Sequence, residues 1–124
     1  MKGMRILVVE DEYLVAEELR LGLEAAGATV VGPLPTLAKA EAMLDNEAAI
    51  DCAVLDINLA GKPVFALADR LGTAGVPFLF LSGYTKGGLP PRFASAPLLE
   101  KPVDMATLAA AVKTVHARRK KHQG

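Results

Sequence analysis

The sequence lacks the features that mark several classes of protein. It has one cysteine, Cys52, which excludes an internal disulfide and argues against a thiolate metal site. Lysine and arginine together number 14, as do aspartate and glutamate, so no net charge draws the chain to nucleic acid or to a membrane surface. The longest apolar run, Val76 to Leu81, is far shorter than the roughly 20 residues that span a bilayer. The first residues also lack the pattern of a signal peptide. We therefore expect a cytoplasmic protein that binds neither nucleic acid nor membrane.

The composition is that of an ordinary globular domain. Of the 124 residues, 52% are hydrophobic and 23% are charged, and no repeat or linker divides them. We expect a single domain over residues 1–117, followed by a polar C-terminal tail over residues 118–124 and by no output domain. The basic residues of that tail complement the partial negative charge at the C-terminus of a helix. Four positive charges without a folded nucleic-acid-binding domain do not indicate a nucleic-acid site.

Short apolar runs alternate with amphipathic segments along the chain. The runs predict strands over residues 6–9, 29–31, 52–55, 78–81 and 98–99, and the apolar spacing predicts helices over residues 15–26, 37–48, 64–74 and 105–115. Strands that are apolar on both faces and separated by helices indicate a parallel sheet covered on both sides. The predicted fold is therefore α/β and doubly wound, a flavodoxin-like five-stranded parallel sheet with strand order 2-1-3-4-5.

The segment between the last two strands departs from this regular pattern. It is rich in residues that interrupt helices, namely Gly83, Gly87, Gly88, Pro90, Pro91 and Pro97. We expect the fourth helix, which would lie here, to be short or irregular.

Polar residues follow the strands at the edge where this class of sheet binds ligands. Glu10 and Asp11 follow the first strand, Asp56 the third, Ser82 the fourth and Lys101 the fifth. Because the carboxyl ends of parallel strands lie at one edge of the sheet, these side chains are expected to converge.

The chemistry of this group favours phosphoryl transfer to a carboxylate. Carboxylates held close together repel one another, and a hard cation such as Mg²⁺ (or Mn²⁺) bound by oxygen ligands relieves the repulsion. Asp56 can then act as a nucleophile towards phosphorus. The ammonium of Lys101 and the hydroxyl of Ser82 supply charge and a hydrogen bond to the phosphoryl oxygens.

Three segments of the chain, residues 6–12, 54–59 and 99–102, resemble the signature segments of bacterial response-regulator receiver domains. The resemblance covers essentially the whole chain, in order and at about the family's spacing. It implies these roles: phosphoacceptor for Asp56, direct metal ligand for Asp11, metal partner through water for Glu10, backbone carbonyl ligand for Asn58, switch hydroxyl for Ser82 and salt-bridge partner for Lys101. It also suggests a cis bond between Lys101 and Pro102.

The resemblance further implies a signalling role rather than a conventional enzyme. A histidine kinase or a histidine phosphotransfer protein would donate the phosphoryl group to Asp56, and the protein would catalyse its own phosphorylation and slow dephosphorylation. The output would be protein binding or onward phosphotransfer. A monomer or a weak dimer is expected.

The sequence departs from the family pattern in the residues that report phosphorylation. The fifth strand of receivers carries an aromatic residue three positions before the lysine, where this chain has Leu98. Residues 77–84 resemble the Pro-Phe-x-Phe-x-Thr-Gly-Tyr motif of the FAT GUY single-domain regulators, with Ser82 in place of the threonine. In that subfamily the region after the fourth strand is labile, which makes Tyr84 a candidate switch aromatic.

Three other interpretations stay open at this point. The chain could be a degenerate receiver that is never phosphorylated, or a binding module whose state is set by partner contact alone. Haloacid-dehalogenase-like phosphatases also use a metal and an aspartate nucleophile. They place it after the first strand in an Asp-x-Asp pattern, whereas this strand ends in Glu10-Asp11-Glu12.

Overall fold

The computed structural model describes residues 1–46, 49–83 and 89–123, which form one layered α/β domain. The strands are β1 (Arg5–Val9), β2 (Thr29–Leu34), β3 (Cys52–Asp56), β4 (Asn58–Leu59), β5 (Lys62–Pro63), β6 (Phe78–Ser82) and β7 (Leu98–Glu100). The helices are α1 (Tyr13–Ala25), α2 (Leu37–Asn46), α3 (Phe65–Thr73) and α4 (Met105–Gln123), with a single 3₁₀ turn at Pro91–Phe93.

Five of these strands form the predicted parallel sheet. Its order is β2-β1-β3-β6-β7, and every neighbouring pair runs parallel. The strands β4 and β5 form a separate two-stranded hairpin, so β6 and β7 are the fourth and fifth strands of the sheet. The predicted order 2-1-3-4-5 is therefore confirmed.

The two faces of the sheet are covered by different side chains. On one face α1 and α4 pack through aliphatic residues such as Leu23 and Leu108, and Cys52 is buried there as a core residue. On the other face α2, α3 and the 3₁₀ turn enclose Phe80 and Phe93, whose ring centroids lie 5.4 Å apart. Fully burying a side chain of this size stabilises a fold by roughly 1.5–3 kcal/mol, so both faces contribute to the stability of the domain.

The second strand is longer than the sequence predicts. We expected it to end at Val31, but β2 continues through Gly32 and Pro33 to Leu34. An irregularity in the pairing with β1 accommodates the proline on this edge strand, and Gly32 takes a positive φ of 104° there. The extension has a consequence for the sheet edge, because the Leu34 carbonyl accepts a hydrogen bond from the Glu10 backbone N–H at 3.0 Å.

The last helix also exceeds its prediction. We expected a polar tail from residue 118, whereas α4 continues to Gln123. Arg118 donates a hydrogen bond to the Ser95 carbonyl at 3.1 Å, and Arg119 donates to the Ile50 carbonyl at 3.3 Å. These contacts hold the polar end of the helix against neighbouring loops. No helix among residues 1–46, 49–83 and 89–123 has the length and apolar character needed to cross a membrane.

The segment before β7 is irregular, as predicted. In residues 89–97 the helical structure is the 3₁₀ turn Pro91–Phe93, where proline rings restrict the backbone. Phe93 anchors this turn against Phe65 and Phe78, with ring centroids 5.6 and 5.7 Å away. Tyr84, the candidate switch aromatic, lies outside the described residues.

Candidate functional site

The sheet brings the predicted site residues to the carboxyl ends of its strands. Glu10 follows β1, Asp56 ends β3, Ser82 ends β6 and Lys101 follows β7. An open cleft of about 570 Å³ at this edge is lined by five of the predicted residues, namely Asp11, Asp56, Asn58, Ser82 and Lys101, while Glu10 is buried beside it. The described part of the site therefore assembles as the topology predicts.

The ammonium group of Lys101 is the centre of the charge cluster. Its Nζ lies 2.9 Å from Glu10 Oε1, 2.8 Å from Glu12 Oε1 and 3.2 Å from Asp56 Oδ2. An ammonium has three N–H donors, so each has a carboxylate neighbour. Glu12 is the member that the sequence analysis missed as a site residue. The only signal for it was its place at the end of the acidic run that begins at Glu10.

Burial and charge shift the pKa values within this cluster. Burial raises the pKa of Glu10 to about 7, although the hydrogen bond from Lys101 opposes the shift. Burial likewise raises the pKa of Asp56, against the influence of Lys101. Burial lowers the pKa of Lys101, but the hydrogen bonds to Glu12 and Glu10 outweigh it and leave that pKa above its ordinary value. Among the described residues, the carboxyl groups of Glu10, Glu12 and Asp56 thus outnumber the one ammonium that they contact.

The hairpin after β3 positions two further groups. Its turn, Ala60 and Gly61, has positive φ values of 51° and 87°, which a two-residue hairpin turn requires. The Ala60 N–H donates to Asp11 Oδ2 at 2.9 Å, and the Gly61 N–H donates to Asn58 Oδ1 at 2.8 Å. The Asn58 N–H in turn donates to Asp56 Oδ1 at 3.3 Å. The turn thus fixes the carboxylate of Asp11 beside the end of β3.

Three carboxylates are close enough to share one cation. Oxygen atoms of Glu10, Asp11 and Asp56 all lie within 4.8 Å of one another. Among the described residues, the hydrogen bond from Lys101 goes to Oε2 of Glu10 at 3.2 Å, while the buried Oε1 lies 2.9 Å from the same ammonium and accepts no hydrogen bond. Oxygen ligands of this kind suit Mg²⁺ or Mn²⁺, and a cation would relieve the mutual repulsion. The residues present therefore fit a hard divalent cation.

Ser82 and Lys101 are connected through the backbone. Ser82 is buried at the end of β6, and its carbonyl accepts a hydrogen bond from the Lys101 backbone N–H at 2.8 Å. The peptide bond between Lys101 and Pro102 is cis, as the sequence analysis suggested. Leu98 is 39% exposed at the start of β7.

Known proteins resemble this chain in sequence and in structure. No protein-family model matches it. The phyllosphere-induced regulator PhyR of Methylorubrum extorquens is 30% identical over 115 residues, which are 86% of this chain and 41% of the relative. The chain thus spans less than half the length of that curated relative.

Two solved structures are similar over nearly their whole length. SdrG from Sphingomonas melonis Fr1 is 36% identical, with a TM-score of 0.81 over 91% of this chain and 96% of that one. A response regulator receiver protein from Sinorhizobium medicae is 29% identical, with a TM-score of 0.81 over 94% and 97% of the two chains. Since both fold and sequence agree, the chain belongs to the response-regulator receiver family.

Proposed function

We propose that this protein is a response regulator that accepts a phosphoryl group on Asp56 from a histidine kinase or a histidine phosphotransfer protein. The observation that carries the proposal is the position of the Asp56 carboxylate. It ends a central strand, faces the open cleft, lies 3.2 Å from the Lys101 ammonium and shares a cation-sized space with Glu10 and Asp11.

The proposed reaction is a displacement at phosphorus. An Asp56 carboxylate oxygen forms a bond to the phosphorus atom while the bond from phosphorus to the donor's histidine nitrogen breaks, and the histidine keeps the electron pair. Asp56 must be ionised to attack, and Lys101 favours the ionised form against the effect of burial. Glu10, Asp11, Asp56 and the Asn58 carbonyl would hold Mg²⁺ or Mn²⁺, which supplies positive charge beside the phosphoryl oxygens when bound.

Lys101 and Ser82 would stabilise the product. The ammonium of Lys101 already lies beside the acceptor carboxylate, and Ser82 lines the same cleft. An ion pair from Lys101 and a hydrogen bond from Ser82 to the new phosphoryl oxygens would hold these two side chains in one arrangement around the phosphoryl group. The proposed output is contact with a partner protein, or onward phosphotransfer, from a cytoplasmic monomer or weak dimer. Tyr84 stays a predicted switch residue.

The proposal is tested by measuring covalent phosphorylation directly. The protein is incubated with Mg²⁺ and acetyl phosphate, and its intact mass is followed over time. We expect one phosphoryl group on the wild type, loss of labelling when EDTA removes the metal, and none on the matched variant Asp56→Asn, which keeps the size of the side chain. Absence of label on the wild type, or equal labelling of D56N, would show that the proposal is wrong.

A further inference from the structure

Glu12 lies at the N-terminus of α1, where a side chain ordinarily accepts hydrogen bonds from the first backbone amides of the helix. It is the N-cap residue of α1, with an extended backbone (φ −85°, ψ 112°), yet its carboxylate makes no capping hydrogen bond with the described residues of that helix. Instead, Glu12 Oε1 accepts a hydrogen bond from Lys101 Nζ at 2.8 Å, the shortest contact of that ammonium in the cluster. The Glu12 carboxylate is thus directed towards the ammonium of Lys101 rather than towards its own helix.

The environments of the carboxylates around Lys101 differ sharply. The side chain of Glu12 is 63% exposed, whereas those of Glu10 and Asp56 are 0% and 7% exposed. An exposed carboxylate that loses its partner is rehydrated at small cost, but a buried one is left uncompensated. If Lys101 must release one N–H to bind another anion, the bond to Glu12 is therefore the one that breaks.

We propose that Glu12 is a positioning residue that competes with the phosphoryl group for the ammonium of Lys101. The inference rests on the proposed function of Asp56. In the unphosphorylated protein the Glu12 carboxylate accepts a hydrogen bond from one of the three N–H groups of the Lys101 ammonium. When a phosphoryl group is present on Asp56, one of its oxygens takes that donor and the Glu12 carboxylate turns to solvent. Glu12 thereby sets how tightly the site holds the phosphoryl group without touching the reacting atoms.

The experiment compares three variants of the full chain. Glu12→Gln removes the charge and weakens the contact with Lys101. Glu12→Asp keeps the charge but shortens the side chain, and aspartate at an N-cap favours the backbone amides of its own helix, which withdraws the carboxylate from Lys101. Glu24→Gln is the matched control, because Glu24 lies at the other end of α1 in an exposed pair with Arg20. Mg²⁺ affinity is measured by calorimetry with the metal alone, and beryllofluoride affinity by NMR titration at saturating Mg²⁺.

We expect both Glu12 variants to bind beryllofluoride roughly three- to tenfold more tightly than wild type, since each frees a charge-assisted donor. Glu24→Gln should match wild type. Mg²⁺ affinity should stay the same or fall in E12Q, because a negative charge near the cation is lost. It should stay near that of wild type in E12D. This pattern would show that the gain comes from the released ammonium rather than from a better-bound metal.

Several results would overturn the inference. An unchanged or lowered beryllofluoride affinity in both variants would show no competition. A gain in E12Q alone would mean that Glu12 merely repels the anion at a distance. A gain that is accompanied by tighter Mg²⁺ binding would place the effect on the metal. If D56N is phosphorylated like wild type, the proposed function fails as well; if only the Glu12 variants behave like wild type, it stands and this inference alone is wrong.

Discussion

The amino and carboxyl ends of the parallel strands differ in how their polar and charged groups are paired. At the amino ends, Arg5 donates its backbone N–H to Asp51 at 2.8 Å and its side chain to the Ala49 carbonyl at 2.7 Å. At the carboxyl ends, three carboxylates surround the single ammonium of Lys101, and Asp11 adds a fourth acidic group beside them.

The two ends show the difference between polar residues that stabilise the fold and polar residues that can bind a ligand. Groups that are paired where they are buried contribute to stability and leave nothing for a ligand to change. An excess of like charge in a partly buried cleft costs stability, and a cation or a proton that binds there recovers it. The carboxyl end of the sheet is therefore the end whose stability changes when a cation or a proton binds.

The largest expected effect follows from removing the ammonium of Lys101, which contacts Glu10, Glu12 and Asp56. Lys101→Met leaves the buried carboxylate of Glu10 without its charged partner. At pH 8 without metal we expect the free energy of unfolding, measured by urea denaturation, to fall by about 3 kcal/mol. The double variant Glu10→Gln/Lys101→Met should recover a large part of that loss, because the uncompensated charge is gone. Equal stability of the single and double variants would contradict the assignment of the loss to Glu10.

The next effect concerns pH. Because the pKa of Glu10 is raised from 4.5 to about 7 in the folded protein, the folded state binds more protons than the unfolded state between these values. The extra proton on Glu10 stabilises the folded state fully below about pH 4.5, and this contribution to the free energy of unfolding is lost as the pH rises through about 7. Metal-free protein should lose roughly 2 kcal/mol across this range, with the raised pKa of Asp56 acting in the same direction. Thermal unfolding followed from pH 4.5 to 8 measures the slope.

A matched variant and the metal serve as controls for the pH dependence. Glu10→Gln should flatten the slope, since the group with the raised pKa no longer titrates. Saturating Mg²⁺ should restore stability at the upper end of the range, because the cation binds the ionised carboxylates of the folded state only. A slope that is the same in E10Q as in wild type would locate the dependence elsewhere in the protein.

The smallest effect is expected at the amino end. Arg119→Met removes hydrogen bonds of 3.3 and 3.5 Å to the carbonyls of Ile50 and Asp51, which neighbouring water can replace. We expect a loss of at most about 1 kcal/mol in urea denaturation and no change in the rate at which acetyl phosphate labels Asp56. A change in that rate would show that the two ends of the sheet are coupled and that the amino end is not purely structural.

The sequence predicted most of the sheet and the core of the site because both depend on local patterns. Apolar runs and helical spacing placed the strands and helices, and the family's order of strands placed Asp56 beside Lys101. The extension of β2 past Pro33 was missed because a proline ordinarily ends a strand, and only the irregular pairing with β1 accommodates it. The helical continuation through Arg118 was missed because its hydrogen bond is made to Ser95, which is distant in sequence.

By itself, then, the sequence determined which residues carry chemistry and which end of the sheet they reach. Those outcomes follow from strand order and from residue type. The tertiary structure alone decided how the charges are shared, since the partners of Lys101 come from segments about 45 and 90 residues away along the chain. Glu12 shows the difference most clearly. In sequence it is one more acidic residue before a helix, and its contact with Lys101 exists only because β1 and β7 end at the same edge of the sheet.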